Sequence, residues 1–521
     1  MAYKQLQAYS KRLTFLASPW SIVGLFAVLG LVGILNHAMW RDEFNTWLIV
    51  RDSQSLGEML GRVKYQGHTA LWALCLSFLR NFSQSPVIMQ LFHWAIAVLS
   101  VTLFWLYSPF THRQKILFTF GYLPFYQYLL IARPYVLGML FLFLFCAIFP
   151  FRKQSYIPAA IALALMANSS AYGLFIAIAL LATLGIEFVF DAEARSQYWQ
   201  QSSSYDLILS LLIVIASFGF AAYILTPPAD SYNHGGLDAW KLKLDMRRVL
   251  RAWGRVFGGY TLMLPEHRRW LDLIVCGLVT LFAVLVFMLK LVRKPLAFCF
   301  FTLAYAEILA FSYLRFMGIG PRHFGHFYLV LIAALWLASY LPDSTVVIKR
   351  LRLSPQLLKL GHKWHQPVLI TILTIQFLAG LYGLPRDLLI PFSASRATAN
   401  YIRDAGWQDE FIVASRDANM APISGYLDRQ LYYPELQDFG SFTLFGGDRE
   451  SDDHKDSLSH EEVLVQVRDL LRSQNQAEKI LLILHEPLET SIEALSTQPI
   501  EEFTRSWIAS ERYYLYWATL P

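Results

Sequence analysis

The sequence predicts an α-helical polytopic membrane protein with about eleven transmembrane helices, followed by a small soluble α/β domain at the C-terminal end. Three observations predict it. Of the 521 residues, 55% are hydrophobic and only 16% are charged, where a soluble domain carries about 25% charged residues. Several apolar runs reach the ~20 residues that a helix needs to cross ~30 Å of hydrocarbon. The charge is also divided. Residues 385 to 521 hold 23 Asp and Glu against 12 Lys and Arg, whereas residues 1 to 384 hold 15 against 32. A boundary near Pro385 is therefore expected between a basic membrane part, 1–384, and an acidic soluble part, 385–521. Basic loops beside membrane helices suit anionic headgroups and topology control better than nucleic acid.

In chain order, the first helix is expected over 19 to 39, with no small-residue cleavage site ahead of it. The second covers 86 to 108 and the third 116 to 132; the fourth follows ARPY and closes on FRKQSY at 151 to 156. Helices five and six share 157 to 190, broken by NSS at 168 to 170. Helix seven spans 206 to 226, and a long polar loop covers 227 to 270. Helix eight ends at 291, helix nine spans 295 to 314, helix ten 324 to 341, and helix eleven follows the basic loop 342 to 366. In the C-terminal part, FIVAS, KILLILHE and RYYLYWATL read as strands, and stretches near 395 to 405 and 461 to 473 read as helices. The cysteines Cys75, Cys146, Cys276 and Cys299 lie scattered in apolar sequence without metal or redox spacing and read as core hydrophobes.

Counting Lys and Arg in the short loops places the N-terminus inside. Odd crossings then put the C-terminal part outside, together with the first loop, 40 to 85. The polar groups at 42–43, 68, 133, 227–270 and 322–323 fall on that same outer face, although none of them set the orientation.

The first loop opens with WRDEFNTW, which sets Asp42 and Glu43 at a membrane surface. Ionisable groups near hydrocarbon are costly, so such a pair is either a functional site or a solvated turn beyond a helix end. Ser55 and Glu58 have capping-box spacing, followed by the apolar face Leu56, Met59, Leu60 and Val63, with Gly67 placed to stop the helix. The run TALWALCLSFL is too short to span and suits the interface. Arg247, Arg251 and Arg255 recur every four residues and would form a cationic stripe that guides an anion or sits among headgroups. The same loop holds His234, Asp238, His267 and Arg268. Glu307 lies inside an apolar run and reads as a paired or protonated buried acid. SDDHKD at 451 to 456 reads as a solvated loop.

The acidic pair after the first helix, HTALW at 68 to 72, ARPYVLGML at 132 to 140 and PRHFGHFYLVLIAALWL at 321 to 337 form a pattern. With the topology, it resembles the GT-C superfamily of membrane glycosyltransferases, which includes protein O-mannosyltransferases (glycosyltransferase family 39) and lipid A aminoarabinose transferases. The chain departs from relatives in two places: HTAL lacks the proline of their His-Pro-Leu-like motif, and NSSAYGLF replaces a His-rich segment. The resemblance implies transfer of a sugar from a polyprenyl-phosphate carrier to a hydroxyl of a lipid, glycan or protein acceptor. The setting implied is the outer face of a bacterial plasma membrane. It implies Asp42 as base and Glu43 as an orienting partner, with His68, Arg133, Tyr135, Arg322 and His323 binding substrate. Arginine's planar fork matches phosphate oxygens, so Arg133 and Arg322 either hold the carrier phosphate or contact lipid headgroups. No Asp-x-Asp pair appears in the outer loops ahead of the C-terminal part, so no cofactor is implied; a divalent metal stays open. An envelope polysaccharide polymerase or ligase, or a transporter of lipid-linked sugars, are the competing readings. A transporter would favour broken helices at mid-membrane, for which Glu307 and the NSS break are the only features.

Overall fold

The computed structural model describes residues 18–231, 243–266, 269–315, 320–445, 458–473 and 478–521. Helices dominate. Among the described residues, eight are long and apolar enough to cross a membrane.

Helix α1 (Pro19–Asn36) starts where the Ser18 hydroxyl accepts from the Ser21 amide at 3.3 Å and Pro19 takes the first turn. The cap satisfies one free N–H, and proline gives up none that was needed. The helix buries Phe26 and Ile34 but exposes Val28 and Val32, as suits a lipid-facing span. The first loop folds into α2 (Arg41–Asp52), α3 (Leu56–Val63) and α4 (Leu71–Leu79). The Ser55 hydroxyl accepts from the Glu58 amide at 3.2 Å, and Glu58 reaches back to the Gln54 amide at 2.7 Å. Met59 and Val63 are buried while Leu56 is exposed, and Gly67 turns the chain at φ 63°.

Next come α5 (Val87–Tyr107) and α6 (His112–Thr119). The helix expected over 116 to 132 is not continuous. Helix α6 stops at Thr119, a wider turn covers Tyr122–Gln127, and no regular helix forms again until Tyr135. Pro124 lacks an N–H to continue a ladder. A later helix also presses on the break, so closely that a Cβ on Gly380 would clash with the Phe120 carbonyl.

Helix α7 (Tyr135–Ile148) is followed by α8 (Ile157–Ala167) and α9 (Ala171–Phe190), with the expected break between them. Ser170 caps α9 by accepting from the Gly173 amide at 3.0 Å. Asn168 at the break accepts through its carbonyl from the Thr69 hydroxyl at 2.5 Å, which docks the break on the first loop. Helices α10 (Ala192–Gln201), α11 (Ser204–Leu225), α12 (Met246–Thr261), α13 (Trp270–Leu291), α14 (Pro295–Leu314), α15 (Pro321–Ala338), α16 (Val346–Arg350) and α17 (Pro355–Leu389) complete this part. Two expected crossings besides 116–132 fall outside the eight. Helix α8 has 11 residues, about 16 Å at 1.5 Å per residue. Helix α15 is buried without interruption from His323 to Ala334, so it carries polar residues that a lipid-facing helix would not.

Helix α17 runs through Pro385 to Leu389, and the sheet-bearing part follows. Its six strands, β1 (Ile412–Ala414), β2 (Leu431–Tyr433), β3 (Asp438–Gly440), β4 (Lys479–Leu484), β5 (Ser496–Phe503) and β6 (Tyr513–Thr519), pair in the order β3-β2-β1-β4-β6-β5. Strand β1 runs parallel to β2 and β4, and the other pairs are antiparallel. The period of two sends Ile412, Leu481 and Ile483 to one face, against Ile402 of α18 (Ser395–Asp404) and Met420 of α19 (Asp417–Leu427). Val413, Ile480 and Leu482 pack on the other, against Val463 and Val467 of α20 (His460–Ser473). Three strands were legible in the sequence. Strand β5, STQPIEEF, was not: Pro499 and its acids are edge-strand residues with no apolar alternation.

Candidate active site

Helix α2 starts abruptly because Trp40 is extended, at φ −112° and ψ 178°. The adjacent acids Asp42 and Glu43 therefore leave the first turn in different directions. Glu43 turns inward and has no exposed surface. Its Oε2 accepts from the Trp40 amide at 3.2 Å and meets His37 Nε2 at 3.0 Å, while Oε1 accepts from the Ala132 amide at 2.7 Å. That last donor is free because the chain around 128–134 is not helical. On its other side, His37 Nδ1 meets Asp387 Oδ2 at 2.9 Å, and the Tyr126 hydroxyl donates to Asp387 Oδ1 at 3.2 Å.

Burial alone would depress His37, but Asp387 and Glu43 outweigh it and push its pKa up to about 10. His37 is thus an imidazolium clamped between two carboxylates just past the end of α1. A folded-state value above the ordinary 6.5 means a stability contribution that is complete below about pH 6.5 and is lost as pH rises through about 10. The thermal midpoint of the wild type is expected to fall more steeply across that window than that of His37→Gln. Parallel curves for the two proteins would rule the clamp out.

Asp42 turns the other way, into a cavity of about 870 Å³. Arg322 Nη2 donates to Asp42 Oδ2 at 2.8 Å, and Arg41 Nε stands 4.0 Å from Oδ1. Arg133 donates through Nη1 to the Asp42 backbone carbonyl and lies 2.6 Å through Nη2 from His68 Nε2. The His323 ring meets the Tyr135 hydroxyl at 3.0 Å, and His68 stands edge-on to Tyr135 at 5.8 Å. Burial would raise the Asp42 carboxyl; Arg322, Arg133 and Arg41 outweigh it and hold it below the usual carboxylate range.

Of the seven site residues expected from the sequence, the fold brings six to this cavity: Asp42, His68, Arg133, Tyr135, Arg322 and His323. Glu43 lies behind them, in contact with the groups that hold α2. Arg41, Tyr172 and Arg315 also line the cavity and were not singled out in the sequence. His37 and Asp387 were missed as well. Their only sequence signal is a polar residue at the end of an apolar helix. Arg247, Arg251 and Arg255 do share α12, but Arg255 is buried and Arg247 lies over the Trp270 ring at 5.0 Å. His234, Asp238, His267, Arg268 and the run at 451–456 lie outside the described residues. Glu307 sits within α14 and does not line the cavity.

The first turns of four helices, α2, α7, α9 and α15, border this cavity. Free N–H groups and the helix dipole make each such end electropositive. With four arginines and one carboxylate, the wall carries an excess of positive charge. The wall also includes apolar side chains, Leu174 and Phe175 of α9, Leu225 of α11 and Phe311 of α14. Searches against family models and against curated proteins find no match. Geometry and chemistry therefore carry the reading of the site.

The C-terminal part closes the cavity. The Asn45 side chain donates to the Thr443 carbonyl at 3.1 Å and accepts from its amide at 2.8 Å, which brings Thr443 and Phe445 to the rim. The Arg41 amide donates to Glu511 Oε1 at 3.0 Å, and Arg41 Nη1 donates to Asn419 Oδ1 at 3.3 Å. Burial pushes the Glu511 carboxyl up to about 7. Among the described residues, no group of three or more His, Cys, Asp or Glu side chains is placed to hold a metal ion.

Proposed function

We propose that the protein is a GT-C-like membrane glycosyltransferase that moves a sugar from a polyprenyl-phosphate carrier to an acceptor hydroxyl, with inversion. One observation carries this reading: Asp42 and four arginines share a cavity whose wall also includes the apolar side chains Leu174, Phe175, Leu225 and Phe311. A lipid phosphate bearing a sugar offers an anionic group and an apolar chain to such a wall. In the reaction, the acceptor oxygen attacks the anomeric carbon and its proton passes to Asp42. The bond from that carbon to the phosphate oxygen breaks, and the negative charge leaves on the lipid phosphate. Arg133 and Arg322 stabilise that charge as it develops. Arg322 is shared between Asp42 and the phosphate, so carrier binding draws it off Asp42 and makes the carboxylate a better base.

The eleven-crossing arrangement, with the cavity and the C-terminal part outside a bacterial inner membrane, belongs to the same reading; the distribution of basic loops supports it. The test is a transfer assay with purified protein and defined polyprenyl-phosphate sugars. Arg322→Lys keeps the charge but loses the fork, and is expected to raise the donor KM; Arg322→Ala should raise it by about 10- to 100-fold. An unchanged donor KM in both Arg133→Ala and Arg322→Ala would assign these arginines to lipid headgroups instead.

A further inference from the structure

A second cavity, of about 850 Å³, lies at the other end of the helical bundle, where α13 and α15 end and α17 begins. Helix α15 links the two sites: Arg322 faces the first and Ala338 the second, about 25 Å apart at 1.5 Å per residue. None of the proposed chemistry uses it.

Its wall is strongly basic. Lys290, Arg293, Lys294, Lys359, His362 and His365 line it, against the single acid Asp343. Lys294 takes that acid at 2.9 Å and also donates to the Leu341 carbonyl. Lys290, Arg293 and Lys359 have no ion pair and no side-chain hydrogen bond among the described residues. Arg293 and Lys290 share the field of the one carboxylate, Asp343, with Lys294, so the cavity keeps an excess of positive charge that an anion would offset.

The surroundings indicate the source of the anion. On the flank of the cavity, Trp364 of α17 is exposed and packs edge-on to Phe282 of α13 at 6.0 Å. Leu281 and Leu285 of α13 and Leu357 of α17 are also exposed. A tryptophan within such an apolar strip, with Lys363 over its ring at 5.6 Å, is a side chain suited to the boundary between hydrocarbon and headgroups. In a bilayer crossed by α13 and α17, the basic cavity would lie towards the headgroups, with exposed apolar side chains alongside.

We propose that this cavity binds the phosphate of an anionic membrane lipid from the leaflet opposite the catalytic cavity. Binding to the folded state alone raises its stability in proportion to occupancy. The inference is independent of the sugar-transfer reading, because it needs only that the helices span a bilayer.

The test uses the full chain in neutral detergent, titrated with short-chain phosphatidylglycerol, short-chain phosphatidylcholine or inorganic phosphate, with the thermal midpoint as readout. Phosphatidylglycerol is expected to raise the midpoint saturably, and the other two to leave it unchanged over the same range. Each cation near a surface contributes about fivefold to affinity for anionic lipid, so Lys290→Ala, Arg293→Ala and Lys359→Ala together should weaken the apparent affinity about 100-fold. These side chains make no close ion pair or side-chain hydrogen bond among the described residues, and Asp343 keeps Lys294, so the triple variant should keep a lipid-free midpoint close to that of the wild type. Lys349→Ala with Arg350→Ala, on α16 outside the cavity, should retain wild-type affinity. Equal shifts with phosphatidylcholine, or unchanged affinity in the triple variant, would overturn the proposal. So would an equal loss in the α16 variant, which would mean diffuse surface charge. A full shift with inorganic phosphate alone would identify a free-anion site and overturn the lipid assignment.

Discussion

Asp42→Asn is expected to fold, to bind the lipid-linked donor and to lose about 100- to 10,000-fold in turnover, the usual cost of a missing general base. The amide keeps the size of the carboxylate and can still accept from Arg322, while proton acceptance and the negative charge are both removed. The Asp42–Arg322 pair is mostly buried, so losing its charge is expected to cost some stability as well. Turnover and thermal midpoint measured on the same preparation separate the two effects. Wild-type turnover would refute the base assignment. The pH profile offers a second reading. Three arginines hold the carboxyl below its usual range in the free protein, so the acid limb of kcat/KM should lie below about pH 4. If the donor phosphate draws Arg322 away, the acid limb of kcat should lie at higher pH. Coincident limbs would mean that Arg322 stays on Asp42 throughout.

Glu43→Gln, one residue along, should fail in a different way. All three partners of Glu43 are donors: the Trp40 amide, the Ala132 amide and the protonated His37 ring. A glutamine must turn its NH2 group towards one of them, which leaves a buried donor facing a donor and His37 short of one of its two counter-charges. Breaking a buried pair of this kind costs about 3 to 5 kcal/mol. The expected result is a large fall in thermal midpoint and in yield of folded protein. Turnover per folded molecule should drop less than in Asp42→Asn. Asp387→Asn should behave like Glu43→Gln, because it removes the other counter-charge of the same imidazolium. A Glu43→Gln protein with wild-type midpoint but no turnover would instead make Glu43 the reacting carboxylate.

Much of this was determined by the sequence alone, because hydropathy and helix capping are local. Apolar runs of about 20 residues become helices long enough to span whatever packs beside them. Ser55 and Glu58 cap α3 with their own neighbours, and KILLIL alternates between two buried faces as its spelling implies. The basic-to-acidic change in composition falls inside α17, which runs through Pro385 to Leu389 before the sheet-bearing part begins. The concentration of Asp42, His68, Arg133 and Arg322 at a few helix ends was also legible, since apolar runs can place polar residues only there.

Tertiary structure decided the rest. Asp42 and Glu43 are neighbours with the same chemistry, and no local property separates a carboxylate that faces a cavity from one that faces His37. That choice depends on Asp387, 350 residues beyond His37, and on an Ala132 amide left free by a break in an apolar segment that reads as helix. The break itself rests on a close approach between Gly380 and the backbone at Phe120. Such pairings join distant parts of the chain through desolvated contacts, whose energies depend on burial that only the folded molecule creates.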